Sequence, residues 1–217
     1  TLSSSSAASD VYKRQMYALA HYNLGYIAFH QKDYTQAQNW FRKYISLEKG
    51  ENKTALADAY NRIGDCYLDV RNFDEAKHYY SQAEAMNTPS GDYSFYQLAL
   101  VSGLQKDYSG KITLLNRLAG KYPASPYAIS ALYEKGRSYV LMDNNQQAIA
   151  SFKELLAKYP ESPVSRKAAA EIGLLYYQNE DYDQAINAYK QVVQKYPGSD
   201  EARLAMRDPV SYTHLTL

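Results

Sequence analysis

The chain has 217 residues, with 24 Lys plus Arg against 23 Asp plus Glu; the net charge of +1 offers no global field for nucleic acid or an anionic membrane. Its single cysteine, Cys66, excludes an intrachain disulfide and a cysteine metal site. No apolar run approaches the ~20 residues that a transmembrane helix needs, and the 24 tyrosines, against 5 Phe and 1 Trp, suit the many half-buried seats of a thin, extended fold.

Residues 1–15, TLSSSSAASDVYKRQ, are small, polar and aperiodic. They lack the apolar stretch of a secretory signal and are read as a tail. A dense amphipathic pattern starts at Met16. From there an apolar–Gly pair, or its equivalent, recurs at Leu24-Gly25, Ile63-Gly64, Leu98-Ala99, Lys135-Gly136 and Ile172-Gly173, at spacings of 39, 35, 37 and 37. Thirteen residues after the first member of each pair stand Ala37, Ala76, Lys111, Ala148 and Ala185. Four residues further come Phe41, Tyr80, Leu115, Phe152 and Tyr189. Such a period is the mark of a repeat architecture. The predicted units are residues 16–51, 52–91, 92–124, 125–161 and 162–198, with the start of a sixth at 199–208 and a second tail at 209–217.

Each unit reads as two helices. In the first, apolar residues fall at i, i+3, i+4 and i+7 until a turn such as KDY, RNF, KDY or EDY. The second closes on Lys121-Tyr122-Pro123, Lys158-Tyr159-Pro160 or Lys195-Tyr196-Pro197. Lysine in the last turn complements the helix dipole, and proline cannot continue the helix. Ser125-Pro126 and Ser162-Pro163 are expected to supply an N-cap serine and a first-turn proline for the next helix. The glycines and alanines at the repeating positions let paired helices approach closely. The third unit departs, with Ala99 for Gly and Lys111 for Ala, so looser or re-angled packing is expected there. The first two units lack the closing Tyr-Pro.

The Leu-Gly step, the later Ala, the aromatic after it and the closing Pro resemble the tetratricopeptide repeat over about residues 16–208. The resemblance implies an all-α fold: a right-handed superhelical array of antiparallel helix pairs, five repeats plus a partial sixth. Units of ~37 residues that end in KYP-x-S are similar to envelope-associated members of Gram-negative bacteria, which implies the periplasm or cell envelope. A sensor or regulatory module of a larger signalling protein is the alternative.

The odd ends share one further property. Residues 5–15 back-translate to a DNA segment whose reverse complement encodes VSYTHLTL, residues 210–217. That segment resembles the transposase adapter of sequencing libraries, so both tails are read as adapter-derived and the protein as a fragment.

Little in the sequence points to catalysis. His21, His30 and His78 form no His-x-x-x-His pair for zinc, and His214 lies in the tail. Cys66, within GDCYL, takes a packing position with no activating base in view. DNNQQ, residues 143–147, lacks the spacing and closing glutamate of a calcium loop and stands where other units turn. No catalytic, cofactor-binding or metal-ligating residue is assigned.

The first helix of each pair is expected to line the concave face. Positions −2, +2 and +5 from the Leu-Gly step form one stripe: Tyr22, Tyr26 and Phe29; Asn61, Asp65 and Leu68; Tyr96, Leu100 and Gly103; Tyr133, Arg137 and Val140; Ala170, Leu174 and Tyr177. From it Tyr22, Tyr26, Asn61, Asp65, Tyr96, Tyr133, Arg137, Leu174 and Tyr177 are the candidate partner-binding residues, tyrosine and arginine being frequent interface anchors. Asp65 with Asp58 and Asp69, and Arg137 with Lys167, would fix the direction of a bound peptide or partner helix. Coverage of the same tyrosines by missing neighbouring repeats, or by ordinary helix packing, is the competing reading. Tyr22 and Tyr26 stand where arrays that clamp a C-terminal carboxylate want lysine and asparagine. A basic RNA channel is absent. The partner is expected to be protein or peptide, with self-association through uncapped ends.

Overall fold

The computed structural model describes residues 2–48 and 50–207, with side chains between residues 8 and 206. VSYTHLTL lies outside them. The described residues form eleven helices and no strand: α1 (Leu2–His30), α2 (Tyr34–Leu47), α3 (Lys53–Asp69), α4 (Phe73–Ala85), α5 (Gly91–Leu104), α6 (Tyr108–Lys121), α7 (Ala128–Leu141), α8 (Asn145–Lys158), α9 (Pro163–Gln178), α10 (Tyr182–Lys195) and α11 (Asp200–Arg207). They gather into two compact units, Thr1–Asp107 and Tyr108–Leu217. The division falls inside the third repeat, the one in which Ala99 and Lys111 replace small residues.

Within each unit, chain neighbours pack as helix pairs. α1 pairs with α2 and α3 with α4 in the first unit; α7 pairs with α8 and α9 with α10 in the second. The leading helix of the next repeat packs on the trailing helix before it, as in α2–α3, α4–α5, α6–α7, α8–α9 and α10–α11. The core of the first unit is built on Ala37, Phe41, Tyr44, Ala59 and Ile63. That of the second uses Ala148, Phe152, Leu155, Ala168 and Ile172, continued by Tyr189 and Val192 towards Ala202 and Ala205.

The sequence spacing has a steric cause. A Cβ built on Gly25 would lie 2.7 Å from the Phe41 ring, and one on Gly64 2.7 Å from the Tyr80 ring. Gly136 against Phe152 and Gly173 against Tyr189 are closer still. Each glycine is therefore the floor on which the ring of its own hairpin lies. Gly64→Ala should destabilise the chain by about 1–3 kcal/mol through overpacking. Gly120→Ala, on an exposed part of α6 with nothing within 4 Å, should instead stabilise it by about 0.5–1 kcal/mol. Urea midpoints of the two variants should move in opposite directions; movement in the same direction refutes the steric account.

The hairpin turns follow one pattern. After α1, the Asp33 amide donates to Ala28 O and the Lys32 amide to Phe29 O, both at 2.9 Å, with Lys32 left-handed at φ 60°. Equivalent paired bonds form at Arg71-Asn72, Lys106-Asp107, Asp143-Asn144 and Glu180-Asp181, again with the first residue at positive φ. This Schellman closure satisfies the last carbonyls of the leading helix. The carboxylate or amide that follows then opens the trailing helix: Asp33, Asn72, Asn144 and Asp181 each accept the amide three residues on. DNNQQ is this turn.

Three local expectations need correction or refinement. The segment read as a tail is helical from Leu2, because α1 continues towards the N-terminus through a stretch free of Gly and Pro, and extending an existing helix costs little. Residues 8–13 are exposed along it. Ser162 and Pro163 open α9 as expected, Ser162 Oγ accepting from the Val164 amide at 3.2 Å. Ser125 Oγ likewise accepts from the Tyr127 amide at 3.1 Å, but Pro126 lies in a turn and α7 starts only at Ala128. In the third repeat, Lys111 is buried where other repeats have alanine, and its ammonium is satisfied by Glu134 of α7.

Candidate partner-binding grooves

In the first unit the predicted stripe turns largely inward upon itself. Tyr22 and Tyr26, one turn apart on α1, both donate their hydroxyls to Asp58 Oδ2 on α3, Tyr22 at 2.7 Å. Their rings pack edge-on to each other and against Phe41, at centroid distances of 5.1–5.9 Å. Burial, then Asp58, pushes the Tyr22 hydroxyl well above its ordinary range, and the same causes raise Tyr26 to about 12. Asn61 presents no surface: it is 2 % exposed, and its Oδ1 accepts the buried Ser94 hydroxyl at 2.9 Å. It serves the α3–α5 contact, not a groove.

Asp65 is the second hub. Its Oδ1 accepts the hydroxyls of Tyr80 and Tyr93, each at 2.7 Å, and its Oδ2 meets the Arg62 guanidinium at 2.5 Å. Arg62 reaches Asp58 at 3.6 Å and lies over the rings of Tyr93 at 4.8 Å and Phe29 at 5.8 Å. Burial opposes the charge of Arg62, yet Asp65, Tyr93 and Asp58 hold its pKa above the usual arginine value. Burial raises the Asp65 carboxyl, opposed by Arg62 and the two hydroxyls. A cleft of about 320 Å³ opens beside this network, between Phe29, Tyr34, Leu68, Asp69, Tyr93 and Gln97. Tyr96 is half-buried on α5.

The second unit differs. There the leading helices α7, α9 and α11 enclose a groove of about 710 Å³. Tyr133, Leu174 and Tyr177, all predicted, line it together with Ala170, Tyr189, Leu204 and Ala205, and Lys167, Glu171 and Glu201 supply its charges. Tyr133 leans on Phe152 at 5.7 Å and Tyr177 on Tyr182 at 5.7 Å, so both rings are held from behind. Leu174 is exposed. Arg137 lies beside the groove and points to Glu171 at 3.4 Å. Burial, then Glu171, raises the Tyr133 hydroxyl.

Residues outside the stripe also line the two clefts. Tyr93 and Lys167 occupy the position five before the Leu-Gly step, which continuing the spacing by one turn towards the N-terminus finds; Arg62 and Glu171, one before the step, lie at the edge of the same face, and Leu204 belongs to the partial sixth repeat.

Tandem hairpins closed by a glycine under an aromatic ring, with leading helices lining grooves, define a helical-repeat solenoid. The chain belongs to the tetratricopeptide repeat family: profiles of that repeat match residues 16–88, and 61–126 with 133–205. It is 40 % identical over 62 residues to the uncharacterised protein ycf37 of Guillardia theta, covering 29 % of this chain and 35 % of that protein. The chain thus spans about a third of that curated relative. Among solved structures it resembles MamA, at 18 % identity and a TM-score of 0.67, over 84 % of this chain and 96 % of the other. It resembles YrrB, described as a tetratricopeptide protein with an unusual peptide-binding site, at 19 % identity and a TM-score of 0.63, over 87 % and 91 %. A tetratricopeptide repeat protein from Parabacteroides merdae gives 15 % identity and a TM-score of 0.69, over 87 % and 72 %. At these identities the likeness to the solved structures concerns the fold.

Proposed function

We propose that the chain is a non-catalytic interaction scaffold that takes a peptide or partner helix in the groove of its second unit. The observation that carries this reading is the apolar floor of Tyr133, Leu174, Tyr177 and Leu204, open to solvent and rimmed by Lys167, Glu171 and Glu201. An apolar side chain of the partner would enter between the tyrosines, and the rim charges would set its direction. Resemblance to YrrB, a protein with a peptide-binding site, supports the same reading. In the first unit, by contrast, the tyrosine hydroxyls are taken up by Asp58 and Asp65 and leave less to offer. The Lys-Tyr-Pro-x-Ser joints at residues 158–162 and 195–199 support service in a bacterial cell envelope.

The test is to select binders from a random peptide library on the full chain and to measure their affinity by fluorescence anisotropy. Leu174→Asp should weaken the selected peptides by at least about tenfold, as for loss of an interface anchor, with helix content unchanged by circular dichroism. Equal affinity for the wild type and the variant would move the binding site elsewhere.

A further inference from the structure

The groove reading leaves one hollow unused, between α8, α9 and α10, with which the groove shares no lining residue. Its walls are helices inside the array, with α7 before them and α11 after them. The first unit shows what this place holds when it is filled. There Arg42, the residue after the Phe41 ring of α2, lies over Tyr67 and Tyr79 at 5.7 and 5.8 Å. Those two rings stack at a centroid distance of 5.5 Å, and Arg42 Nε donates to the Tyr79 hydroxyl at 3.2 Å. Tyr60 closes the cluster, 6.2 Å from Tyr79.

The second unit repeats the cation and the ring beneath it. Lys153 follows Phe152 as Arg42 follows Phe41, and Tyr176 stands four residues after its Leu-Gly step, as Tyr67 does. The Lys153 ammonium lies 5.5 Å from the Tyr176 ring centre and donates to its hydroxyl at 2.9 Å. The other two tyrosines have no counterpart. In the same register Tyr60 becomes Ala169, three before the step, and Tyr79 becomes Ala188, one before the ring. Both alanines line the hollow, whose volume is about 180 Å³. A cavity of ~150 Å³ admits benzene, so this one has room for an aromatic ring.

We infer that this hollow is a second binding site, which takes a tyrosine side chain of a partner peptide in the place that Tyr79 fills in the first unit. The ring stacks on Tyr176, and its hydroxyl accepts from Lys153. Leu156, Ile172 and Val192 supply apolar contact below it. Charge selects the same occupant. Lys153 and Lys195 are the charged residues of the lining, with no carboxylate among the described residues there, and the face of an aromatic ring attracts cations. A neighbouring hollow of about 470 Å³ shares Lys153 and Tyr176 and runs on beside Ile149 and Ala150. It gives the chain on one side of the tyrosine a path, which favours a peptide over a free phenol.

The test is an NMR titration of the full chain, labelled at its alanine methyls, with the end-blocked peptide Gly-Gly-Tyr-Gly-Gly. Up to about 10 mM peptide, a range that reaches contacts of millimolar Kd, the Ala169 and Ala188 methyls should shift. Those of Ala170 and Ala205, in the groove, should not. Ala188→Tyr, which restores the first unit's residue, should weaken the peptide at least about tenfold, with helix content unchanged by circular dichroism. Lys153→Met, at an exposed position, should weaken it about two- to fivefold, as for loss of a cation–π contact. The same peptide with leucine for tyrosine should leave both methyls unmoved. Leu174→Asp should bind the tyrosine peptide as the wild type does, so this site and the groove fail independently. Unmoved Ala169 and Ala188 methyls, equal affinity for the tyrosine and leucine peptides, or undiminished binding to Ala188→Tyr overturns the inference. So does a shift with p-cresol but not with the peptide, which would leave a pocket for free phenols.

Discussion

Asp65→Ala should destabilise the first unit by about 3 kcal/mol, the lower end of the cost of breaking a buried ion pair. The Asp65 side chain is 12 % exposed and that of Arg62 18 %, so removing the carboxylate leaves a largely desolvated guanidinium. The hydroxyls of Tyr80 and Tyr93 lose their acceptor at the same time. Asp58, at 3.6 Å from Arg62, retains part of the interaction and keeps the loss from the upper end of the range. Because an unpaired charge is the main cost, Arg62→Leu combined with Asp65→Leu should recover a substantial part of it. Tyr80→Phe removes a single hydrogen bond and should cost only about 1 kcal/mol. Urea unfolding of the three variants checks the ranking. An Asp65→Ala loss below 1 kcal/mol would mean that the network behaves as an exposed ion pair.

Raising the pH above about 10 should collapse the first unit over a narrow interval. Burial, then the Asp58 carboxylate, holds Tyr26 up at about 12; burial, then Glu48, does the same for Tyr44. Tyr22, Tyr80 and Tyr93 are also raised, by burial and then by Asp58 or Asp65. A phenol whose folded pKa lies above its unfolded value keeps its proton in the folded chain while the unfolded chain releases it. Its contribution is therefore complete below pH 10 and lost as the pH climbs towards the folded value. Each such tyrosine removes at most about 1.4 kcal/mol per pH unit in that window, and several acting together make the fall steep. Absorbance of tyrosinate near 295 nm and helical circular dichroism should change together. Complete tyrosine ionisation with the helix signal intact at pH 12 would refute the account.

The repeat was legible because its cause is local. A glycine and the ring that lies on it belong to one hairpin, 16 residues apart in every case from Gly25–Phe41 to Gly173–Tyr189, so the spacing itself records the contact. Turns were legible for the same reason, through the Asp or Asn that caps α2, α4, α8 and α10. The polar network of the first unit was not. Asp65 and Tyr93 are 28 residues apart and meet only when α5 packs on its predecessors, and Asn61 is buried by Ser94 across the same contact. Helical phase placed both residues on the stripe but carried no information on the partner across the seam. Lys111 was read as a defect in small-residue packing, and its compensation by Glu134 depends on the following repeat. In the second unit three residues of the stripe, Tyr133, Leu174 and Tyr177, line one groove.

The ring-on-glycine contact also bears on how such a gene can change. Each of these hairpins contains both halves of its own closest contact, and its turn is set by two adjacent residues. A whole block can therefore be copied or deleted without orphaning either half, and the array can lengthen by recombination instead of by coordinated point mutation. The third block is the exception. Moved without Glu134, Lys111 would carry a buried ammonium into a neighbourhood that offers it no carboxylate. Keeping that ammonium paired requires the third block and the one after it to move together.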